Sequence, residues 1–394
     1  MYKRQIVLAY SGGLDTSYCL KKLSIDNEVH AVNINTGGYT IEESNKIKEK
    51  AIKLGAYSFT TIDAVDLFYN KIIKYLVFGN VLRNNTYPLS VSSERTIQAM
   101  EIVKYAKKNN ATHIAHGSTG AGNDQVRFDT IFQILAPEIK ILSPIRDLKL
   151  TREEEIDFLN QQGIKLSWEK AKYSINKGLW GTSVGGDETL TSDLKLPSTA
   201  YPGSLKNKSS KEITLTFKNG EIIGLNGEKH DSVTCIELIS KQCDDYCIGR
   251  DIHVGDSIIG IKGRVGFQAG GPMLIIKSHH LLEKHTLTKW QQFQKDQLSN
   301  FYGMHLHEGQ YLDPVLRDIE SFLQSSQSNV NGDVHITLHP FRFELNGISS
   351  KNDLMNRKFG TYGEINNKWS ADDAKGFIKI VSNQNKIHQY VNKK

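Results

Sequence analysis

Cysteine is scarce: Cys19, Cys235, Cys243 and Cys247 are the only four in 394 residues. They form no paired CxxC spacing and no dense framework. That excludes a zinc ribbon and a disulfide-stapled secreted domain, and points to a reducing cytoplasm. Cys243 and Cys247 stand four apart, which reads as two small half-buried residues rather than a metal site. No run of about 18 apolar residues occurs, so no membrane span is expected. The opening Met1-Tyr2-Lys3-Arg4 leads into a short apolar stretch ending at Tyr10. It is too short for a secretion signal, lacks a small-residue cleavage site, and reads as a first strand. Strong charge bias is also missing. Lys and Arg total 49 against 43 Asp and Glu, a net +6, and the basic residues are dispersed among acids. Nucleic acid is therefore not an expected partner, whereas an anionic small substrate accounts for the balance. Two common nucleotide motifs are absent as well. There is no G-x-x-x-x-G-K-[ST] and no G-x-G-x-x-G after a strand, so neither the ATP-hydrolysing P-loop nor a dinucleotide fingerprint is present.

What is present divides the chain. Its length exceeds one compact core and suits two domains plus an appendage. The first half alternates strand patterns (5–10, 29–35, 58–63, 112–115, 139–143) with helical ones (14–23, 41–54, 67–78, 93–109). A capping box at Thr151-Arg152-Glu153-Glu154 opens a further helix that stops at Gly163. This predicts an α/β fold, a doubly wound parallel sheet of nucleotide-binding type over 1–166. The second half, 167–366, reads as α+β. The stretch 195–211 is a surface excursion. Lys218-Asn219-Gly220 turns a hairpin between 212–217 and 221–225. Helices are expected near 233–241 and 281–298, a strand near 257–262, and paired strands at 334–338 and 342–345. The tail, 367–394, reads as a helical arm. It has Asp372 and Asp373 at its start, lysines at its end, and Ile378, Ile380, Val381, Ile387 and Val391 needing a partner surface, so another subunit is expected to cover it.

Two segments carry the chemistry. The first is Ala9-Tyr10-Ser11-Gly12-Gly13-Leu14-Asp15-Thr16-Ser17, after a buried-looking strand and opening a helix. A helix N-terminus offers free N–H groups and the positive end of the dipole to phosphate. Gly12 and Gly13 let the backbone turn and approach the ligand, and Ser11, Thr16 and Ser17 add hydroxyls. Asp15 repels phosphate unless it orders the loop or contacts Mg²⁺. The second segment runs from His116 to Phe128 after the fourth strand. Loops at the C-terminal ends of parallel strands converge, so it should face the first. Asp124 suits a substrate ammonium and Arg127 a substrate carboxylate; the other reading is an Asp124–Arg127 pair three residues apart on an exposed helix. His279, His280, His285, His305 and His307 show no strong zinc spacing, so they read as surface or interface residues and no metal site is expected among them.

The first segment, S-G-G-x-D-[ST]-S, resembles the pyrophosphate-binding loop of the ATP-pyrophosphatases. The second, His116-Gly117-Ser118-Thr119-Gly120-Ala121-Gly122-Asn123-Asp124-Gln125-Val126-Arg127-Phe128, is similar to the hallmark of the argininosuccinate synthases. Further matches are Tyr87–Ser92 before a helix containing Arg95, Tyr173-Ser174-Ile175, Leu179–Ser183, Ile259–Arg264, Glu308–Pro314 and Asp373–Ile378. The resemblance implies that Ala9–Ser17 and Gly117 bind ATP, a substrate accompanied by Mg²⁺. It implies that Thr119, Asn123 and Asp124 hold aspartate, and that Tyr87, Ser92, Asn123, Arg127, Ser174 and Ser183 hold citrulline. Asp15, Asp124 and Arg127 would be closest to the chemistry, and the assembly would be a homotetramer. Departures from the family pattern are Ala121 for a lysine, Asn176-Lys177-Gly178 for Asp-Glu-Asn, Gly185 for Glu, and Gly255 and Phe267 for a citrulline-binding Glu and Tyr. Two other readings stay open: a tRNA-modifying thiolase, which needs reactive cysteines where only Cys19 is offered, and a non-catalytic nucleotide-binding sensor.

Overall fold

A computed structural model describes residues 4–164, 173–364 and 368–393. The boundaries expected at 166/167 and 366/367, and the chain ends Met1–Lys3 and Lys394, lie outside these. In the N-terminal half, β1 (Gln5–Ala9) feeds α1 (Leu14–Leu23), β2 (Glu28–Asn35) feeds α2 (Ile41–Lys53), and β3 (Ser58–Asp63) follows. Next come α3 (Val65–Phe68), a π-turn over Tyr69–Ile73, α4 (Lys74–Phe78) and α5 (Ser90–Lys108). Then β4 (His113–Ala115), α6 (Asp124–Leu135), β5 (Lys140–Leu142), α7 (Pro144–Leu148) and α8 (Arg152–Gln161) complete this half. The five strands pair in parallel in the order β3-β2-β1-β4-β5. Strand periodicity sorts the side chains. Ile6, Leu8, Val29 and Ala31 join one core with Leu14, Leu20 and Leu159, while Val7, Val32 and Ile34 join the other with Ile97 and Ile131. The doubly wound expectation is met, with both faces covered. The order reverses between β1 and β4, so the loops after these strands border one crevice.

The C-terminal half adds β6 (Ser174–Gly178), β7 (Gly181–Gly185), β8 (Lys211–Lys218), β9 (Glu221–Leu225), β10 (Glu228–Lys229) and α9 (Ser232–Asp245). After these come β11 (Arg250–Asp256), β12 (Lys262–Gln268), α10 (Gly270–Thr286), α11 (Lys289–His307), α12 (Val315–Ser326), β13 (Gly332–His339) and β14 (Arg342–Ser349). They form two antiparallel sheets, β10-β9-β8-β13-β14 and β11-β12-β7-β6. The hairpin at Lys218–Gly220 is as expected, with Asn219 and Gly220 at φ 49° and 77°. Two expectations are corrected. Ser257–Ile261 is the turn between β11 and β12, closed by Gly260 at φ 82°, and its apolar Ile259 and Ile261 are exposed. The 281–298 helix is two helices, because a Thr288–Gln291 capping box starts α11 afresh. The tail is helical, α13 (Ala371–Val381) and α14 (Asn383–Val391), with no buried residue in either helix.

The two halves are fastened by a buried polar knot. Lys295 Nζ lies 2.7 Å from Glu283 Oε2 and donates to the Phe78 carbonyl at 2.7 Å. Asn80 and Gln327 also donate to Glu283, and their amide oxygens face the two ring nitrogens of His279. Lys295, Glu283 and His279 are all nearly inaccessible. Removing one partner strands a buried charge. Lys295→Met should therefore lower stability by ~3–5 kcal/mol in denaturant unfolding; a loss below ~1 kcal/mol would show that the knot does not fasten the halves.

Candidate active site

The phosphate loop is shaped by glycine and hydroxyls. Gly12 has φ 81°, and a Cβ there would also press on Ile47 at 3.2 Å, so the turn requires glycine twice over. Gly13 is the extended N-cap of α1 and donates its N–H to Ser11 Oγ at 3.3 Å. Thr16 Oγ1 donates to the Gly13 carbonyl and lies 3.2 Å from Ser11 Oγ. The first intrahelical bond is Ser17 N–H to Gly13 O, so the preceding N–H groups of α1 have no partner within the helix. Gly117 of the second loop packs here: a Cβ on it would stand 3.0 Å from Thr16 N. The two glycine-bearing turns touch.

Cations reach the loop from other elements. Lys50 on α2 donates to the Gly12 carbonyl at 2.6 Å, and burial pushes its pKa down to about 8. Arg152 of α8 lines the same cavity. Also on α8, Glu155 is buried against Asp15; burial, then the Asp15 charge, push it up to about 8. Burial raises Asp15 too.

The second loop is held from within. His116 Nδ1 accepts from Ser118 N–H at 3.2 Å, so Nε2 carries the proton to Asp129 Oδ1 at 2.8 Å, and Asp129 pairs with Arg146. Asn123 Oδ1 accepts the Ile258 N–H from the β11–β12 turn at 2.9 Å. Asp124 lies 2.8 Å from both Arg95 Nε and Arg127 Nη1. Burial opposes its ionisation, but the two guanidiniums prevail and hold the carboxyl well below the usual range. Arg127 is buried and donates from Nε to the His307 carbonyl at 2.9 Å. The Asp124–Arg127 pair thus exists, but its arginine is buried rather than displayed on an exposed helix.

One cavity of about 1100 Å³ gathers these residues. Ala9, Tyr10, Ser11, Gly12, Gly13, Leu14, Asp15, Thr16 and Gly117 line it, as do Tyr87, Ser92, Thr119, Asn123, Asp124, Arg127, Ser174 and Ser183. Ser17 does not. It lies inside α1, fully buried, with its hydroxyl 3.5 Å from that of Tyr10. His279 and His307 are buried rather than surface residues, because each closes a polar network. Among the described residues no cluster of three His, Cys, Asp or Glu forms a metal cage. Sequence reasoning missed Lys50, Glu94, Arg152, Glu155 and His253. Arg152 reads only as part of a capping box and the others belong to no motif; their positions at the site come from tertiary packing.

A nucleotide-sized cleft at the switch point of a parallel sheet, with a glycine turn at a helix N-terminus, is the architecture of a nucleotide-binding α/β protein. Residues 5–165 match the family description "Arginosuccinate synthase N-terminal HUP domain", and 173–388 match "Arginosuccinate synthase C-terminal domain". Relatives named argininosuccinate synthase include that of Methanocaldococcus jannaschii, 35% identical over 92% of both chains. Those of Dictyoglomus turgidum and Xanthomonas campestris are 34% and 33% identical over 98% and 100% of both chains. The chain belongs to the argininosuccinate synthase family. Neither the thiolase nor the sensor reading is favoured. Cys19 is buried and its thiol is pushed far up by burial, the opposite of a reactive cysteine.

The Asp15–Glu155 contact makes stability pH-dependent. Glu155 titrates near 8 when folded and near ~4.3 when unfolded, so the folded chain binds more protons between those values. Stability contributed by this group is full below about 4.3 and falls as pH rises toward 8. Glu155→Gln keeps a donor for Asp15 and removes the charge. Its Tm should exceed wild type by about 2–4 °C at pH 8 and match it at pH 4; an equal or lower Tm at pH 8 would refute the assignment.

Proposed function

We propose that the chain ligates citrulline and aspartate, cleaving ATP to AMP and pyrophosphate through a citrullyl-AMP intermediate. The observation carrying this reading is the contact between the two glycine turns on a single cavity, larger than the ~300–1,000 Å³ usual for one ligand. The ureido oxygen of citrulline is a poor leaving group, which is why ATP is consumed. That oxygen attacks the α-phosphorus, forming a P–O bond as the bond to pyrophosphate breaks. The aspartate amine then attacks the ureido carbon, loses a proton, and AMP departs with the oxygen.

In this scheme the N-terminus of α1, with Lys50 and Arg152, stabilises the departing pyrophosphate. Asp15 would hold Mg²⁺ brought in by the triphosphate. A single carboxylate beside phosphates fits a cation that keeps its waters, and the ion would neutralise developing charge. Thr119, Asn123 and Asp124 hold aspartate. Tyr87, Ser92, Asn123, Arg127, Ser174 and Ser183 hold the ureido substrate. No side chain acts as a covalent nucleophile; positioning three substrates supplies the acceleration. Four free, buried cysteines suit a cytoplasmic enzyme. Domains of 1–166 and 167–366 carry the two halves of the site. The arm 367–394, with Phe377, Ile378, Ile380 and Val381 exposed, packs on other copies in a homotetramer.

Purified chain with ATP, citrulline and aspartate should release pyrophosphate only when the ureido substrate is present. Asp15→Ala should cut that release by about 10²-fold or more in a chain that still folds and melts cooperatively; normal turnover in this variant would remove the loop assignment. Gel filtration of a chain ending at Lys368 should show a smaller assembly than the full chain. An unchanged elution volume would remove the arm from the interface.

A further inference from the structure

The far end of the cavity, around Tyr87, has an unusual charge inventory. Arg127 and Arg83 stand there with two imidazoles. His253 stacks on the Tyr87 ring at 5.1 Å and 26°, and both it and His307 line the cavity. Burial, then Arg83, push His253 down to about 4; burial, then Arg127, push His307 down to about 3. Both rings are neutral at pH 7. Three buried polar atoms of this cluster, Arg83 Nε, His253 Nδ1 and His307 Nε2, have no partner among the described residues.

Most carboxylates lining the cavity are engaged elsewhere. Asp124 is shared by two arginines, Asp256 pairs with Lys262, Glu43 caps α2, Asp15 lies against Glu155, and Glu94 accepts from Thr36 through one oxygen while its other oxygen has no partner among the described residues. An α-ammonium placed beside Tyr87 would therefore meet guanidiniums and neutral imidazoles, and the charges of Glu308 and Asp256 there are already offset by Arg83. Alongside, Gly255 pairs with Gly263 across β11 and β12; a Cβ on Gly255 would meet His253 Nε2 at 2.6 Å, whereas one on Gly263 would have nothing within 4 Å. Room for a substituent thus lies beside a neutral imidazole, which carries one donor and one acceptor, the complement of an amide.

We propose that the preferred ureido substrate carries its α-nitrogen as an amide: an Nα-acylated citrulline, with its acyl group over Gly263 and its amide against His253. Its carboxylate faces the arginines. This inference rests on the reading that the cavity accepts a citrulline-like substrate.

The test compares Nα-acetylcitrulline with citrulline, each with ATP and aspartate, following pyrophosphate release. The expected kcat/KM is about tenfold or more higher for the acetylated compound, the order of effect of leaving a desolvated ammonium unpaired. Gly255→Glu supplies a carboxylate and displaces the His253 ring, which its Cβ would meet at 2.6 Å, so it should shift the ratio toward citrulline. Equal or better turnover of citrulline by the wild-type chain overturns this inference and leaves the synthase reading standing. Release with neither compound overturns the synthase reading itself, and the inference with it.

Discussion

The carboxylate of Asp124, gripped by Arg95 from α5 and by Arg127 from its own helix, ties the site together, because Arg127 also binds the His307 carbonyl at the end of α11. The neighbouring Asn123 takes the Ile258 N–H at the β11–β12 turn. Two consecutive residues after one parallel strand thus fix two elements of the antiparallel half. The walls of the cavity inherit their spacing from these bonds. Arg127 is buried while Arg95 and Asp124 are half-buried, so desolvating the set is costly and removing Asp124 would strand the buried guanidinium. The arrangement persists because each charge is met by an opposite one and the remaining donors find carbonyl or imidazole acceptors.

Much of the site was legible because the signals were local. Strand patterns alternating with helical ones revealed the parallel sheet, and the rule that ligands gather beyond its switch point predicted that Ser11–Ser17 and Thr119–Arg127 would face one cleft. Where local signals misled, tertiary structure had overruled them. Ile258, Ile259 and Ile261 look like a strand, yet Gly260 folds them into a turn. Apolar periodicity runs on past Leu287 without glycine or proline, and only the Thr288 cap separates α10 from α11. His307 and His253 gave no signal, since what makes them part of the site is burial beside arginines far away in sequence. Lys50 was equally silent: a lysine near the end of an amphipathic helix is ordinary until its ammonium is seen on the Gly12 carbonyl.

That lysine bears on the charge carried by the loop that opens α1. Lys50 and Glu155 border the loop from α2 and α8, and both titrate near 8. Below that pH Lys50 is charged and Glu155 neutral, so the loop is electropositive and Asp15 has one acidic neighbour that donates rather than repels. Above it both protons leave, and the loop swings by two charges against an anionic ligand. A bound triphosphate favours the protonated form of each group and so extends the favourable range upward. Burial, which penalises a charged lysine and a charged glutamate alike, keeps Glu155 neutral while lowering Lys50 only to about 8, so below that pH the pair holds the protonation pattern that suits a departing pyrophosphate.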